Sequence, residues 1–132
     1  MAINEAYNLT IVRKKGPLPD IPYEAMKEKI LGKSYILSIV FCSPKESQDL
    51  NKTYREKDYP TNILSFPLDE TTGEIYISLS TTKRDAKKFE MSYHKFLHLL
   101  IVHGMLHLKG HDHGSTMEEL EQTHLKKFFR GE

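Results

Sequence analysis

Hydrophobic and polar positions along the chain change their period once. The first part reads as short strands and two helices, and the remainder is helical throughout. Residues Tyr7 to Val12 form the first strand candidate, followed by a turn through Gly16, Pro17 and Pro19. A helix is predicted from about Tyr23 to Leu31, with Gly32 as its stop. Tyr35 to Cys42 (YILSIVFC) is apolar, β-branched and aromatic, the composition of a central strand. Ser43-Pro44-Lys45-Glu46 has the form of a capping box with proline at the first helical position, so a helix should run from there to about Arg55. Residues 58–61 form a turn. Asn62 to Phe66 reads as a strand stopped by Pro67, and Gly73 opens another, Glu74 to Leu79, with Ile75, Ile77 and Leu79 on one face.

Beyond residue 80 the period is that of helices. Ser80 to Glu90 predicts a polar, exposed helix. Met91 to Lys109 predicts a long one whose apolar residues cover nearly its whole circumference, so it should run through the core. Gly110 suits a left-handed C-cap. Ser115-Thr116-Met117-Glu118 reads as a second capping box, opening a last helix to about Phe129. Strands early, helices late and one βα alternation predict an α+β fold with a small mixed sheet of about four strands. With no repeat and no linker, residues 1–132 read as a single domain.

The 132-residue chain has 19 Lys+Arg against 18 Asp+Glu, a formal net charge of +1. That length suffices for a core burying roughly two thirds of the unfolded surface. The near-neutral balance excludes histone-like bulk attraction to nucleic acid, so any such contact must come from a local patch. A single cysteine, Cys42, can form neither an internal disulfide nor a cysteine-based zinc knot, which fits a reducing compartment. No apolar run approaches the roughly 18 residues of a membrane span, and MAINEAYNLT lacks the features of a signal peptide. The expectation is a cytoplasmic protein with no membrane partner. The unusual number is 7 histidines, four of them between positions 103 and 113.

That segment is HGMLHLKGHDH. His103 and His107 lie one turn apart on a predicted helix, so their imidazoles share a face. Gly110 lets the chain leave the helix, and His113 can fold back as a third ligand. The spacing His-x3-His-x2-Gly-x2-His is that of the metzincin zinc signature. Three neutral imidazoles leave the metal charge uncompensated and one position open, the arrangement that lowers the pKa of a bound water to about 7. Zn2+ is the default ion, with another divalent transition metal open on ligand identity alone. A metalloprotease would need Glu directly after the first histidine as general base, and Gly104 stands there. Asp112 is the only acid within the motif; it could orient an imidazole, act as a general base, or simply form the turn. His94, His111 and His124 read as surface residues, and His98 as a hydrogen-bonded packing residue.

A second element, LNKTYREKDYPTNILSFP at 50–67, places Lys52, Arg55 and Lys57 at a helix end before a strand. Arginine suits bidentate phosphate contacts and the charge of a phosphoryl transition state. Lys83, Arg84, Lys87 and Lys88 form a further patch, netting +2 over Thr81 to Glu90. Together with GEIYIS at 73–78, these segments resemble the YbeY family of bacterial endoribonucleases, the ribosomal-RNA maturation factors. The resemblance is firmest from about Leu50 to His113. It implies a zincin-like α+β fold with the metal on a core helix and its following loop. It also implies single-strand-specific RNA cleavage, 16S rRNA 3′-end processing on the small ribosomal subunit, and a part in ribosome quality control. His103, His107 and His113 match the metal ligands, and Arg55 the functional arginine. Asn62 stands where the family usually has Asp, Glu74 for the usual Asp, and His111 for a frequent Tyr.

The mechanism expected is metal-assisted cleavage of RNA phosphodiesters, with Arg55 and Asp112 as catalytic candidates and Arg55, Lys57 and Ser65 as substrate-binding ones. The strand at 62–67 would line the cleft; water or the RNA 2′-hydroxyl could be the nucleophile. The partners expected are single-stranded RNA and the small ribosomal subunit with its proteins, and no DNA. Two other classes remain open at this stage: a zinc metallohydrolase acting on peptide or amide bonds, and a non-catalytic ribosome-assembly factor.

Overall fold

The β-branched run at the centre of the chain becomes the middle of a sheet, and everything else is arranged on it. The computed structural model describes residues 1–129. The strands are β1 (Ala2–Ala6), β2 (Leu9–Arg13), β3 (Ile36–Cys42), β4 (Ile63–Asp69) and β5 (Thr72–Ser78). The helices are α1 (Tyr23–Ile30), α2 (Pro44–Arg55), α3 (Leu79–Lys88), α4 (Tyr93–Leu108) and α5 (Ser115–Phe128). The sheet order is β1-β2-β3-β5-β4. β2, β3 and β5 run parallel, and the edge strands β1 and β4 are antiparallel to their neighbours.

The α+β reading with a mixed sheet therefore holds, with five strands where about four were expected. The extra strand is β1, which precedes the strand expected at Tyr7 to Val12; that one begins at Leu9 as β2. Asn8 adopts a left-handed φ of 60°, so Tyr7 and Asn8 turn the chain and β1 pairs back on β2. Asparagine tolerates that conformation better than most residues, and the polar sequence of β1 carries no burial signal. Pro67 does not end β4, which continues to Asp69. β4 is an edge strand, where a missing N–H is tolerated.

The helix starts follow local chemistry. The capping box at α2 forms as expected: Ser43 Oγ accepts from the Glu46 N–H at 3.1 Å, and the Glu46 carboxylate accepts from the Ser43 N–H at 3.3 Å. The box expected at Ser115 does not form. Helix α5 begins at Ser115 itself after Gly114, with no side-chain cap. Helix α3 starts at Leu79, capped by Ser78, and is not wholly exposed, since Thr81, Thr82 and Ala86 are buried. Helix α4 starts after Ser92, whose hydroxyl accepts from the Lys95 N–H.

Helix α4 crosses the sheet with Leu97, Ile101 and Met105 fully buried against Ile39, Ile75 and Ile77. Its end is a Schellman motif: the Gly110 N–H donates to the His107 carbonyl and the His111 N–H to the Leu106 carbonyl, with Gly110 at φ 105°. That left-handed residue reverses the chain just before His113. No helix among the described residues is long and apolar enough to cross a membrane.

His98 is 3% exposed on α4, and its Nδ1–H donates to the His94 carbonyl at 2.8 Å, the packing role expected. Burial pushes its pKa below the ordinary value, and burial does the same to His107 and His124. A histidine whose folded pKa is depressed binds protons first in the unfolded chain. Its stabilising preference for the neutral form is intact above about pH 6.5 and erodes as the pH falls through that value. The metal-free protein should therefore lose denaturant resistance between about pH 7.5 and 5.5, and H98Q should show a shallower loss. Urea midpoints at the two pH values check this; equal slopes for the two proteins would remove His98 from the account.

Candidate metal centre and its cleft

Helical spacing alone brings His103 and His107 together. Their rings lie 4.5 Å apart and nearly perpendicular, with the two Nε2 atoms 3.0 Å from each other. After the Gly110 reversal, the His113 ring returns to 5.1 Å from His103 and 4.9 Å from His107. One nitrogen from each ring lies within 4.8 Å of the other two. The expected triad is thus assembled by one helix, its C-cap and the next three residues.

The donor set fits a divalent transition metal. Burial lowers the His107 pKa, and the neighbouring His103 and His113 lower it further, so His107 is neutral at neutral pH, as a ligand must be. His103 Nδ1–H donates to Glu121 Oε2 at 2.5 Å, a contact reaching from α5 to α4. This bond leaves His103 Nε2 for the metal and holds the ring in place.

Sequence reasoning missed Glu121. It considered Asp112 for the orienting role; Asp112 is exposed, is not among the residues lining the cavity, and its charge acts on His107. Nothing in the α5 sequence separates Glu121 from Glu118 or Glu119; only the packing of α5 on α4 selects it.

The triad opens into a cavity of about 710 Å³ that is also lined by Tyr54, Arg55, Asn62, Ser65 and Phe66. Arg55, the last residue of α2, thus shares one cavity with the histidines. The Ser65 hydroxyl lies in the cleft and donates to the Gly104 carbonyl at 3.4 Å. Lys57 is exposed and does not line the cavity. Asn62 donates its side-chain amide to Asp85 Oδ2 at 3.0 Å. A carboxylate at 62 would instead oppose Asp85. Asp85 also pairs with Arg84 at 3.0 Å and Lys88 at 3.8 Å, which neutralises part of the α3 basic patch.

Gly104, the position of the missing protease glutamate, has a packing reason. A Cβ there would lie 2.9 Å from Ile63 Cδ1 and 3.1 Å from both Ile75 Cδ1 and Ser65 Oγ. The backbone of α4 rests on side chains of β4 and β5, so a glutamate there would have to displace the tips of Ile63 and Ile75. The remaining histidines expected at the surface, His94, His111 and His124, are all half-buried. His94 packs against His98 and Phe129, and His124 against Phe128 with its Nδ1 enclosed. Cys42 is half-buried, and burial raises its thiol pKa to about 11, so it is neither thiolate ligand nor nucleophile.

Comparison with known proteins agrees with this geometry. The family model described as Endoribonuclease YbeY matches residues 18–129. An endoribonuclease YbeY from Alkaliphilus metalliredigens is 34% identical over 130 residues, covering 90% of this chain and 79% of the relative. One from Halalkalibacterium halodurans is 37% identical over 117 residues, covering 76% and 74%. A solution structure of a protein from Thermotoga maritima superposes with a TM-score of 0.65 at 27% identity, over 90% of this chain and 87% of that one.

Three outcomes follow from the site. H107A should lose stoichiometric metal in elemental analysis. E121Q, which keeps the shape but weakens the bond to His103, should bind metal about 10- to 100-fold more weakly in a chelator competition. G104E should lower the thermal midpoint and gain no peptidase activity; a stable variant that cleaves peptides would contradict the packing argument.

Proposed function

The chain belongs to the family of endoribonuclease YbeY, and from that premise we propose that the cleft between α4 and α2 cleaves phosphodiester bonds of single-stranded RNA. The observation that carries this reading is the presence of Arg55 and the three imidazoles in the lining of one cavity. His103, His107 and His113 would hold the divalent ion, Zn2+ by default, which supplies Lewis acidity when bound. Glu121 keeps His103 oriented. Arg55 binds the non-bridging oxygens of the scissile phosphate and stabilises the charge that develops on them. Ser65 lines the path of the substrate. Lys57, exposed two residues beyond Arg55, adds attraction for the phosphate chain, and Asp112, next to His113, would orient an imidazole or act as a general base.

The proposed substrate is ribosomal RNA, at the 3′ end of the 16S species on the small ribosomal subunit, with a part in quality control of that subunit in the cytoplasm. Family membership supports it, and so does the small net charge, since a few local cations require a larger assembly for strong binding. The reading as a peptide or amide hydrolase lacks the glutamate directly after the first histidine, since Gly104 stands there against Ile63, Ser65 and Ile75.

Removing Arg55 tests the reading directly. R55A should cut a single-stranded RNA with kcat/KM reduced about 10²- to 10³-fold, the usual cost of losing one donor to a developing oxyanion. Its metal content and thermal midpoint should match those of the wild type, and chelator should abolish cleavage by both. Cleavage by R55A at the wild-type rate would sink the assignment.

A further inference from the structure

One feature of the cleft has no role in holding metal or phosphate. Tyr54, next to Arg55 on the last turn of α2, is 65% exposed, although it lies beside an apolar wall. Its ring meets Phe66 of β4 edge-on, with centroids 5.1 Å apart at 62°. Phe66 in turn meets Tyr76 of β5 at 5.7 Å and 74°. Tyr76 is partly buried, and its hydroxyl donates to Glu74 at 3.5 Å. The three rings form a ladder that starts on the sheet and ends in solvent. Tyr54 and Phe66 line the same cavity as Arg55 and the histidine triad.

We infer that Tyr54 and Phe66 form a stacking platform for an unpaired base of the RNA strand, next to the phosphate held by Arg55. This rests on the endoribonuclease reading above and identifies what grips the nucleotide. An aromatic face presented to water beside an anion-binding arginine matches the two halves of a nucleotide, a π-face and a phosphate. The charge of the cavity agrees: among the described residues no carboxylate lines it, while Arg55 does. Among the described residues β4 is an edge strand paired with β5, and its residues 63–67 line the same cavity. Its unpaired backbone groups face a strand entering along that edge. A paired base has both faces covered by its stack and cannot use the ring of Tyr54, so the platform selects for single strands.

The test uses a single-stranded oligouridylate carrying one 2-aminopurine, moved one position at a time, whose fluorescence is quenched on stacking. The metal-loaded wild type should quench it, with a preferred position on the strand. Y54A should lose the quenching and raise KM about tenfold or more, with metal content and thermal midpoint unchanged and kcat nearly so. Y54F and Y54W should restore both readouts, and R55A should keep the quenching while losing cleavage. Undiminished quenching and KM in Y54A would overturn the platform while leaving the nuclease reading intact. So would a Y54A variant that loses kcat alone. A wild type that quenches through Tyr54 but cuts no RNA would overturn the nuclease reading and leave the platform standing.

Discussion

The contact between the backbone of α4 at Gly104 and the side chains of Ile63, Ser65 and Ile75 sets the distance on which the whole site depends. Because no Cβ intervenes, the helix that carries His103 and His107 sits directly on the edge of the sheet. Those histidines flank Gly104 on the same helix, so the close approach brings their imidazoles beside β4. The same contact crowds the position at which a peptidase glutamate would stand. One missing side chain thus shapes both the position of the metal centre and the chemistry open to it. The fully buried Leu97, Ile101 and Met105 hold the helix at that depth, and truncating any such residue would cost about 2–5 kcal/mol.

Two further links complete the centre from elements outside α4's interior. The Schellman motif at Gly110 satisfies the last carbonyls of the helix and turns the chain back. His113 thereby reaches its partners without a long loop. Glu121 then ties α5 to His103, so the packing of the last helix and the orientation of a ligand are one constraint. An imidazole held on its Nδ1 side meets a metal with little reorganisation, which is the physical value of such a carboxylate.

The arginine end of the cavity works on different terms. Arg55 stands at the exposed end of α2, where its charge is hydrated and adaptable, while Asn62, Arg84 and Lys88 converge on Asp85. The second patch is therefore partly spent within the fold. A protein of net charge +1 gathers its useful positive charge at one wall of one cleft and supplements it with aromatic surface.

Long apolar periodicity, the capping box at Ser43, the glycine after α4 and the histidine spacing were all legible because each is a local pattern with a local cause. A capping box needs four residues, and a ligand pair on a helix needs one turn. The β1–β2 hairpin was not legible, because β1 is polar and mostly exposed and its turn rests on a single left-handed Asn8. The second capping signal at Ser115 was misleading because Gly114 set the helix start. By itself, then, the sequence determined the candidate ligands, their mutual spacing, the helix that bears two of them and the arginine segment. Tertiary structure alone decided which carboxylate serves His103, why residue 104 is glycine, and that Arg55 and Tyr54 share a cavity with the triad. Each of these joins residues far apart in the chain through side-chain packing, and packing distances between separate elements leave no periodic trace in the order of amino acids.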